Sequence, residues 1–289
     1  MRLLTFRRAD HVSFGVVSGD GIIDAPALLG GRAGSLREAL NAGLLGRLAD
    51  LSAGREPDHA LLDVEYLPPI PDPEKILCVG VNYVDHRNEI GQADAPAHPT
   101  IFSRFSDTQV GHRQPVVHPT ATTQLDYEGE VAIVIGRHTR SVQSETDALA
   151  AIAGLSCYND LSARDWQVHS SQWLPGKNFR AVGSFGPWLV TLDEFEDLPS
   201  VRLCTRVNGE IRQEAALADL IFDFTDILRY VTGFTHLAPG DVIATGTPGG
   251  VGFVADPPVF LRPGDVTEVE VSGVGVLTNT IVAGEDAVP

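Results

Sequence analysis

The run VAIVIG, residues 131–136, places five apolar residues in succession, and it constrains the possible folds more than any other segment. Side chains of a strand alternate between the two faces of a sheet, so a strand that is apolar throughout must be covered on both faces. Asp126, Glu128 and Glu130 alternate with other residues just before this run. A continuous strand would align all three carboxylates on one face, where neighbours repel by roughly 2–3 kcal/mol at an effective dielectric of about 20.

Two environments suit such a row of carboxylates. Acidic residues on a strand most often form its solvated face, but the fully apolar run that follows argues against a wholly solvated neighbouring segment. A divalent cation is the alternative, because unpaired carboxylates in a partly buried site raise one another's pKa values and take up protons. The pattern therefore favours a cation at this place over solvent.

Length, charge and cysteine usage limit the remaining possibilities. A chain of 289 residues can build one large domain, or a large domain with a small one. Its 38 acidic residues against 21 Lys and Arg give a net charge of -17, which opposes binding to nucleic acid or anionic membranes. The first residues contain no apolar run long enough for a signal peptide, so a soluble, cytoplasmic protein is predicted. The three cysteines are interpreted as reduced core thiols: Cys78, Cys157 and Cys204.

The chain is predicted to begin with a small N-terminal α/β subdomain at residues 1–66. Two strand-like runs flank the turn SGDG, and Ser35 with Glu38 forms a capping-box start for a helix. Leucines recur every four residues along that helix as one apolar stripe: Leu36, Leu40, Leu44 and Leu48. A proline-rich connector at 67–75 then separates this unit from a catalytic domain at 76–289.

Strand-like runs dominate the catalytic domain, and helical patterns are confined to about 144–152 and 223–232. Asn208 and Gly209 tolerate the positive φ of a two-residue hairpin turn. Strands and helices do not alternate strictly, which argues against a doubly wound nucleotide-binding sheet. The predicted fold class is α+β and predominantly β.

A second cluster, CYNDLSARDWQ, spans residues 157–167. Asp160 follows an apolar approach, a common place for a functional residue at a strand end, but an Asx turn or a helix N-cap explains it equally well. Arg164 and Asp165 are open to the same choice between a functional role and an ordinary surface pair.

Three further segments carry candidate chemistry. His86 and Glu89 are three residues apart, so one helical turn brings them together; a carboxylate beside an imidazole makes a general base, although chance pairs on solvated helices are common. Lys177, after Gly176, is placed to reach an anion or is simply solvated. The loop ATGTPGGVG, residues 244–252, lacks the phosphate-loop pattern and is better suited to offer Thr247 and backbone N–H groups to a carboxylate.

Together these segments resemble the fumarylacetoacetate hydrolase family between about Lys75 and Gly252. Six motifs occur in the family's order: VGxNYxxHxxE, DYExE, NDxSARDxQ, GKxF, VNGExxQ and TGTPxGVG. The resemblance implies the family's mixed β-roll with a small N-terminal subdomain, in a homodimer.

The resemblance also implies a divalent metal, Mg²⁺ or Mn²⁺, held by Glu128, Glu130 and Asp160; Ca²⁺ can occupy such a site in a crystal. These carboxylates give an all-oxygen set with open positions for water and a chelating substrate. The implied small-molecule partner is a 2-oxo acid. Asp126 matches no ligand of the family, so it is expected either to support a ligand from behind or to be solvated.

The implied catalytic residues are His86, Glu89 and Lys177. His86 and Glu89 match the water-activating pair of the acylpyruvase-like branch, on a segment that orders over the substrate, and Lys177 matches a residue that contacts substrate oxygens and stabilises developing negative charge. The implied substrate-binding residues are Gln167 and Thr247, together with Arg104, which stands where many members have Lys. A final departure is Arg180, which replaces the acidic residue often found after the lysine motif.

The resulting functional prediction is a metal-dependent hydrolase that cleaves a C–C bond in an acylpyruvate-type 2,4-dioxo acid and releases pyruvate. Fumarylpyruvate and acetylpyruvate are examples, and aromatic catabolism is the expected context. Oxaloacetate decarboxylation, and hydration or isomerisation of an unsaturated 2-oxo acid, remain alternatives on the same scaffold. A non-enzymatic, metal-stabilised binding protein is the fourth possibility, and the presence of both His86 and Glu89 argues against it.

Overall fold

The computed structural model describes residues 1–92 and 96–284, and strands dominate these residues. The strands, in chain order, are β1 (Arg2–Arg8), β2 (His11–Ser18), β3 (Gly21–Asp24), β4 (His59–Ala60), β5 (Glu65–Tyr66), β6 (Ile76–Gly80), β7 (Thr100–Arg104), β8 (Gln109–Val110), β9 (Val116–His118), β10 (Leu125–Asp126), β11 (Gly129–Ile135), β12 (Ile152–Asn159), β13 (Ser162–Ala163), β14 (Gly183–Thr191), β15 (Arg202–Val207), β16 (Glu210–Ala216), β17 (Val242–Ala244), β18 (Val266–Val271) and β19 (Gly275–Ala283).

Helices are short and are placed mainly around the sheets. They are α1 (Ala25–Leu28), α2 (Leu36–Asn41), α3 (Leu45–Ser52), α4 (Val84–Glu89), α5 (Glu145–Ala151), α6 (Arg164–Gln167), α7 (Leu174–Lys177) and α8 (Phe224–Phe234). Single 3-10 turns lie at Leu61–Asp63, Ser106–Thr108, Leu192–Glu194, Leu198–Ser200, Leu217–Asp219 and Gly252–Val254. Within the described residues, no helix is long and apolar enough to cross a membrane.

The apolar run lies in the interior of a mixed twelve-stranded sheet, where β11 pairs with β12 on one side and with β17 on the other. All seven residues of β11 are buried. Val131, Ile133 and Ile135 face one hydrophobic core, whereas Ala132 and Val134 face another. The expectation of a strand covered on both faces is therefore confirmed, and it explains why the run shows no polar alternation.

A second sheet of five strands, in the order β16-β15-β18-β19-β9, contributes to the first of these cores. Its hairpin β15–β16 turns at Asn208 and Gly209, which have φ of +53° and +80°. The predicted two-residue turn is confirmed. The two helical patterns of the catalytic domain are confirmed as α5, which begins with a Ser144–Asp147 capping box, and α8, which begins after Asp223.

The N-terminal region is hydrogen-bonded to the main sheet, because β1 pairs with β14. Its predicted single helix is wrong: α2 ends at Asn41, and α3 begins at Leu45. Gly43, with φ of +64°, allows the N–H of Leu44 to bond the carbonyl of Ala39, a Schellman motif that terminates α2. All four leucines of the stripe are nevertheless buried, so the stripe is a property of two helices. The division at residues 66 and 75 stays a prediction.

The cysteines are free thiols, as expected. Cys78 and Cys157 are buried, in agreement with the core interpretation, whereas Cys204 is partly exposed on β15.

Candidate active site

Three acidic side chains meet where β11 begins and β12 ends. Glu128 precedes β11 and Glu130 lies two residues further along, so both point to the same side. Gly129 pairs with Asn159, and the N–H of Asp160 donates to the carbonyl of Glu128 at 2.8 Å, which brings Asp160 beside them. One carboxylate oxygen from each acid lies within 4.8 Å of the other two. We call Glu128, Glu130 and Asp160 the carboxylate cluster.

Asp126 is not part of this cluster. It lies on a separate strand, β10, so the alternation seen in the sequence does not continue through one strand. Its side chain is fully buried, accepts N–H bonds from Gly252 and Phe253 at 2.8 and 3.0 Å, and pairs with Arg164 Nε at 2.8 Å. The solvated alternative for Asp126 is wrong, and the surface-pair alternative for Arg164 is wrong as well, because Arg164 is buried and also pairs with Glu128.

Besides Arg164, two further cations pair with Glu128 and Asp160 of the cluster. The ammonium of Lys177, at the end of α7, lies 2.7 Å from Glu128 Oε2 and 2.6 Å from Asp160 Oδ2. Arg104 Nη1 lies 2.6 Å from Asp160 Oδ1. Burial would raise the pKa of Glu128, but the charges of Lys177 and Arg164 outweigh burial and hold that pKa well below its ordinary value.

Glu130 has a different environment. Its Oε2 accepts the N–H of Gly246 at 2.8 Å, and within the described part of the chain it forms no ion pair. Burial, and then the neighbouring carboxylates of Asp160 and Glu128, raise the pKa of Glu130 well above its ordinary value. Glu130 is therefore the acid that needs a further positive charge in order to stay ionised.

A charge count over this region supports the same conclusion. Four carboxylates are buried together, those of Asp126 and the carboxylate cluster, against three cations, Arg104, Arg164 and Lys177, which leaves one negative charge (4 − 3 = 1). The donor set is all oxygen, which suits Mg²⁺ or Mn²⁺. The residues present therefore fit a divalent cation, and the excess charge lies at Glu130, where the ion would be bound.

The helix α4 carries the predicted base. His86 Nδ1 lies 2.6 Å from Glu89 Oε1, and the N–H of Gly250 donates to Glu89 Oε2 at 2.8 Å. A glutamate carboxylate at Nδ1 favours the proton on that nitrogen, which leaves Nε2 as the acceptor. His86 is buried, and its ring lines the same cavity as Glu128 and Glu130. We call these two residues the His86–Glu89 pair.

The cavity between the carboxylate cluster and α4 has a volume of ≈ 180 Å³. Its polar lining is His86, Glu128, Glu130, Arg164, Gln167, Lys177 and Thr247. Its other walls are mainly apolar: Val79, Gly80, Val81, Ile90, Phe102, Val168, Trp173 and Phe253. The cavity lining thus combines charged and polar side chains with apolar and aromatic ones, which suits a small, partly charged molecule.

The predicted substrate-binding residues separate into two groups. Gln167 and Thr247 line the cavity, as a contact with substrate requires. Arg104 does not line it: its side chain is fully buried and bonds Asp160 Oδ1 and the carbonyl of Leu161. Its position therefore suits it to hold Asp160 in place and not to touch a substrate.

Some cavity residues were not assigned a site role from the sequence. Arg164 lies between Asp160 and Gln167 in one motif, and this position could have indicated that it belongs to the site. No sequence pattern indicated that the aromatic residues belong to the site, because aromatic residues most often lie in the core. They are Phe102, Trp173 and Phe253. The segment around His86 to Gly91 is expected to be mobile without substrate, and this mobility stays a prediction; residues 93–95, which follow it, lie outside the described residues.

Comparison with known proteins decides the family. Residues 75–282 match the family model described as fumarylacetoacetate (FAA) hydrolase C-terminal. The chain belongs to the fumarylacetoacetate hydrolase family. It is 38% identical to the human protein named "Oxaloacetate tautomerase FAHD2A, mitochondrial", with 98% of this chain and 92% of that protein covered.

Two solved structures of the family are also similar over nearly the whole chain. A fumarylacetoacetate hydrolase from psychrophilic Exiguobacterium antarcticum is 37% identical, with a TM-score of 0.86 and coverage of 98% of this chain and 100% of that one. Maleylpyruvate hydrolase from Sphingobium sp. SYK-6, in complex with manganese(II) and pyruvate, is 28% identical, with a TM-score of 0.81 and coverage of 99% and 100%. The expected family fold is thereby confirmed, with hydrolases and a tautomerase among its named members.

Proposed function

We propose that the protein is a divalent-metal-dependent hydrolase that cleaves the C–C bond of a short acylpyruvate and releases pyruvate. One observation carries the proposal: His86, which is paired with Glu89, lines the same cavity as Glu128 and Glu130 of the carboxylate cluster. A hydrolase of this type needs a base above the carbonyl that water attacks, and a cationic site that stabilises the leaving enolate.

Glu128, Glu130 and Asp160 would hold the ion. When bound, Mg²⁺ or Mn²⁺ supplies a Lewis acid for the carboxylate and 2-oxo oxygens of the substrate. The similarity to a family structure that contains manganese and pyruvate supports this assignment.

The protein's own residues supply the proton transfers. Glu89 holds the Nδ1 proton of His86, so Nε2 accepts a proton from water as that water attacks the distal carbonyl. The bond between this carbonyl carbon and C3 then breaks, which forms a carboxylic acid and the enolate of pyruvate. Transfer of the proton held by His86 Nε2 to C3 gives pyruvate and restores the neutral imidazole. Lys177, whose ammonium lies in the cavity wall, donates hydrogen bonds to the oxygen on which negative charge develops.

Cavity size supports a short substrate tail. A volume of ≈ 180 Å³ is below the ~300–1,000 Å³ typical of sites for drug-sized ligands. Trp173 forms part of the apolar wall of the cavity. Its indole packs edge-on to Phe102 and lies against Gly80, where no Cβ would fit. Acetylpyruvate is therefore favoured over acylpyruvates with long tails.

Keto–enol tautomerisation of oxaloacetate is the second candidate. The name of the human relative, at 38% identity over nearly the whole chain, favours it. The same residues suit it, because the His86–Glu89 pair would move a proton at C3 without water attacking a carbonyl. Oxaloacetate decarboxylation and hydration or isomerisation of an unsaturated 2-oxo acid stay predictions from the sequence.

A substrate panel tests the proposal. Purified protein with Mn²⁺ is given acetylpyruvate, fumarylpyruvate and oxaloacetate; loss of dioxo or enol absorbance is followed directly, and pyruvate is followed by a coupled reductase. The proposal predicts pyruvate from acetylpyruvate, with His86→Gln slowing this by ~10²–10⁴-fold. His138→Gln, at an exposed histidine, is the matched control.

The outcomes separate the candidates. Decay of oxaloacetate enol absorbance without pyruvate, and without acetylpyruvate cleavage, would replace hydrolysis by tautomerisation. Absence of turnover with every acid, together with retained Mn²⁺ binding, would favour a binding protein. The homodimer and the cytoplasmic location stay predictions; the human relative's name places that protein in the mitochondrion.

A further inference from the structure

Gln213, from the VNGExxQ motif, joins two parts of the candidate site that lie on different segments. It is buried on β16, and its Nε2 donates to Thr247 Oγ1 at 2.7 Å and to the carbonyl of Pro248 at 2.9 Å. Its Oε1 accepts the N–H of Gly129, between Glu128 and Glu130, at 3.0 Å. Both amide hydrogens and the amide oxygen of Gln213 are therefore used.

The loop that Gln213 holds ends at the catalytic base. The N–H of Gly250 donates to Glu89 Oε2 at 2.8 Å, while Glu89 Oε1 contacts His86 Nδ1 at 2.6 Å. The hydroxyl of Tyr127 donates to the carbonyl of Gly250 at 3.1 Å. A change in the position of the loop at residues 247–250 therefore moves the donor that orients Glu89.

Close packing leaves this loop little freedom to adjust. Gly250 has φ of +98°, and a Cβ there would overlap the carbonyl oxygen of Arg212, the residue before Gln213. The backbone of the loop thus lies directly against β16. The side-chain amide of Gln213 then links the loop's first half to this strand, through Thr247 and Pro248.

We propose that Gln213 is a positioning residue that sets the distance between the carboxylate cluster and the His86–Glu89 pair, through Thr247, Pro248 and Gly250. This inference rests on the proposed function. It assigns the hairpin β15–β16 a role in aligning the base over the substrate, separate from the binding of metal or substrate head group.

The carboxylate cluster itself has other supports. The N–H of Glu128 donates to Asn159 Oδ1 at 3.1 Å, Gly129 pairs with Asn159 across the sheet, and Thr247 Oγ1 donates to the carbonyl of Gly129 at 2.9 Å. Removing the Gln213 amide therefore leaves these supports of the metal ligands in place, while Pro248 and the residues that follow it lose the side chain that ties them to β16. Loss of the Gln213 amide should therefore lower kcat without weakening the binding of Mn²⁺ or oxalate.

The test compares Gln213→Met with Thr205→Val. Thr205 is the cross-strand partner of Gln213, and within the described residues its buried hydroxyl has no hydrogen-bond partner. Gln213→Met should lower kcat for acetylpyruvate by about tenfold, as expected for the loss of buried hydrogen bonds that orient a base, with Kd for Mn²⁺ and for oxalate within about twofold. Thr205→Val should change none of these quantities.

A double variant tests whether Gln213 acts through Glu89. In a Glu89→Gln background, where the orienting carboxylate is already lost, Gln213→Met should cause no further loss of kcat. Additive losses in the double variant, or parallel losses of Mn²⁺ binding and kcat in Gln213→Met, would show a general structural role and overturn the inference.

Hydrogen exchange keeps this test independent of the reaction. Amides of residues 84–92 should exchange faster in Gln213→Met than in the parent protein or in Thr205→Val, without substrate. If no acid in the panel is turned over, the proposed function fails, but faster exchange confined to 84–92 and 245–252 still supports the positioning role. Unchanged exchange there refutes it.

Discussion

The carboxylate cluster and the His86–Glu89 pair both contribute to one cavity, through Glu128, Glu130 and His86, but they differ in how the fold holds them. The cluster sits on β11 and at the end of β12, strands in the interior of a twelve-stranded sheet, with cores on both faces. The pair sits on a six-residue helix, α4, in which Val84 is exposed, and Gly250 supplies a backbone contact from another segment. The cluster is thus held by sheet pairing and two cores, whereas the pair is held by one short helix and a contact from a loop, so we expect the pair to be the more mobile of the two.

The largest expected effect comes from the cluster. Glu130→Gln keeps the size of the side chain but removes the charge that has no cationic partner. Its Kd for Mn²⁺ should rise by more than the ~10–100-fold typical of lost supporting contacts, and activity should be lost with it. Titration calorimetry measures the binding, with Glu145→Gln, at an exposed glutamate, as the control. Normal Mn²⁺ affinity in Glu130→Gln would remove Glu130 from the metal site.

A change in the His86–Glu89 pair should cause a smaller loss of activity, and this loss should affect kcat but not metal binding. Glu89→Gln replaces a carboxylate by an amide, which can donate to Nδ1 and so favours the wrong tautomer of His86. Hydrolytic kcat should fall by about 10²-fold or more, while Mn²⁺ and oxalate bind within about twofold of the parent. A parallel loss of Mn²⁺ affinity would show that the two parts of the site are not separable, contrary to the comparison above.

Truncating a side chain should also destabilise the protein more in the strand that carries the cluster than in the helix that carries the pair. Ile133→Ala, in the buried strand β11, should lower the free energy of unfolding by about 2–5 kcal/mol, because a cavity remains in the core. Val84→Ala, at an exposed position of α4, should change it by no more than about 0.5 kcal/mol. Denaturant unfolding measures both, and similar values for the two variants would contradict the assigned difference in rigidity.

The smallest expected effect is a change in how steeply the free energy of unfolding depends on pH. The pKa of Glu130 is raised in the folded state, so between the ordinary value of 4.5 and that folded-state pKa this carboxyl holds more proton in the folded metal-free protein than in the unfolded chain. Stability contributed by protonated Glu130 is complete below that pH and is lost as the pH rises through the folded-state pKa. Glu130→Gln should remove this contribution to the fall of the free energy of unfolding with rising pH. Bound Mn²⁺ should offset the same fall in the parent protein. Identical slopes in both metal-free proteins would contradict the raised pKa.

Local patterns were sufficient for several elements of the fold. The apolar run of β11, the Asn208–Gly209 turn and the helical patterns of α5 and α8 each depend on neighbouring residues, so the sequence predicted them correctly. The leucine stripe of α2 and α3 was predicted as one helix, because the four-residue spacing continues through Gly43. A single glycine with positive φ was enough to divide the helix without removing any leucine from the core.

The sequence by itself determined the family, because the order and spacing of the motifs place three acids, a histidine–glutamate pair and a lysine in one family pattern. Tertiary structure alone decided their partners. Asp126 and Arg164 are 38 residues apart in the chain, and Arg104 and Asp160 are 56 apart, yet each forms a buried ion pair. Register between strands, and not local sequence, brings such groups together, and burial then makes each unpaired charge costly. That is why Glu130 was one acid among several in the sequence and is the distinctive one in the structure.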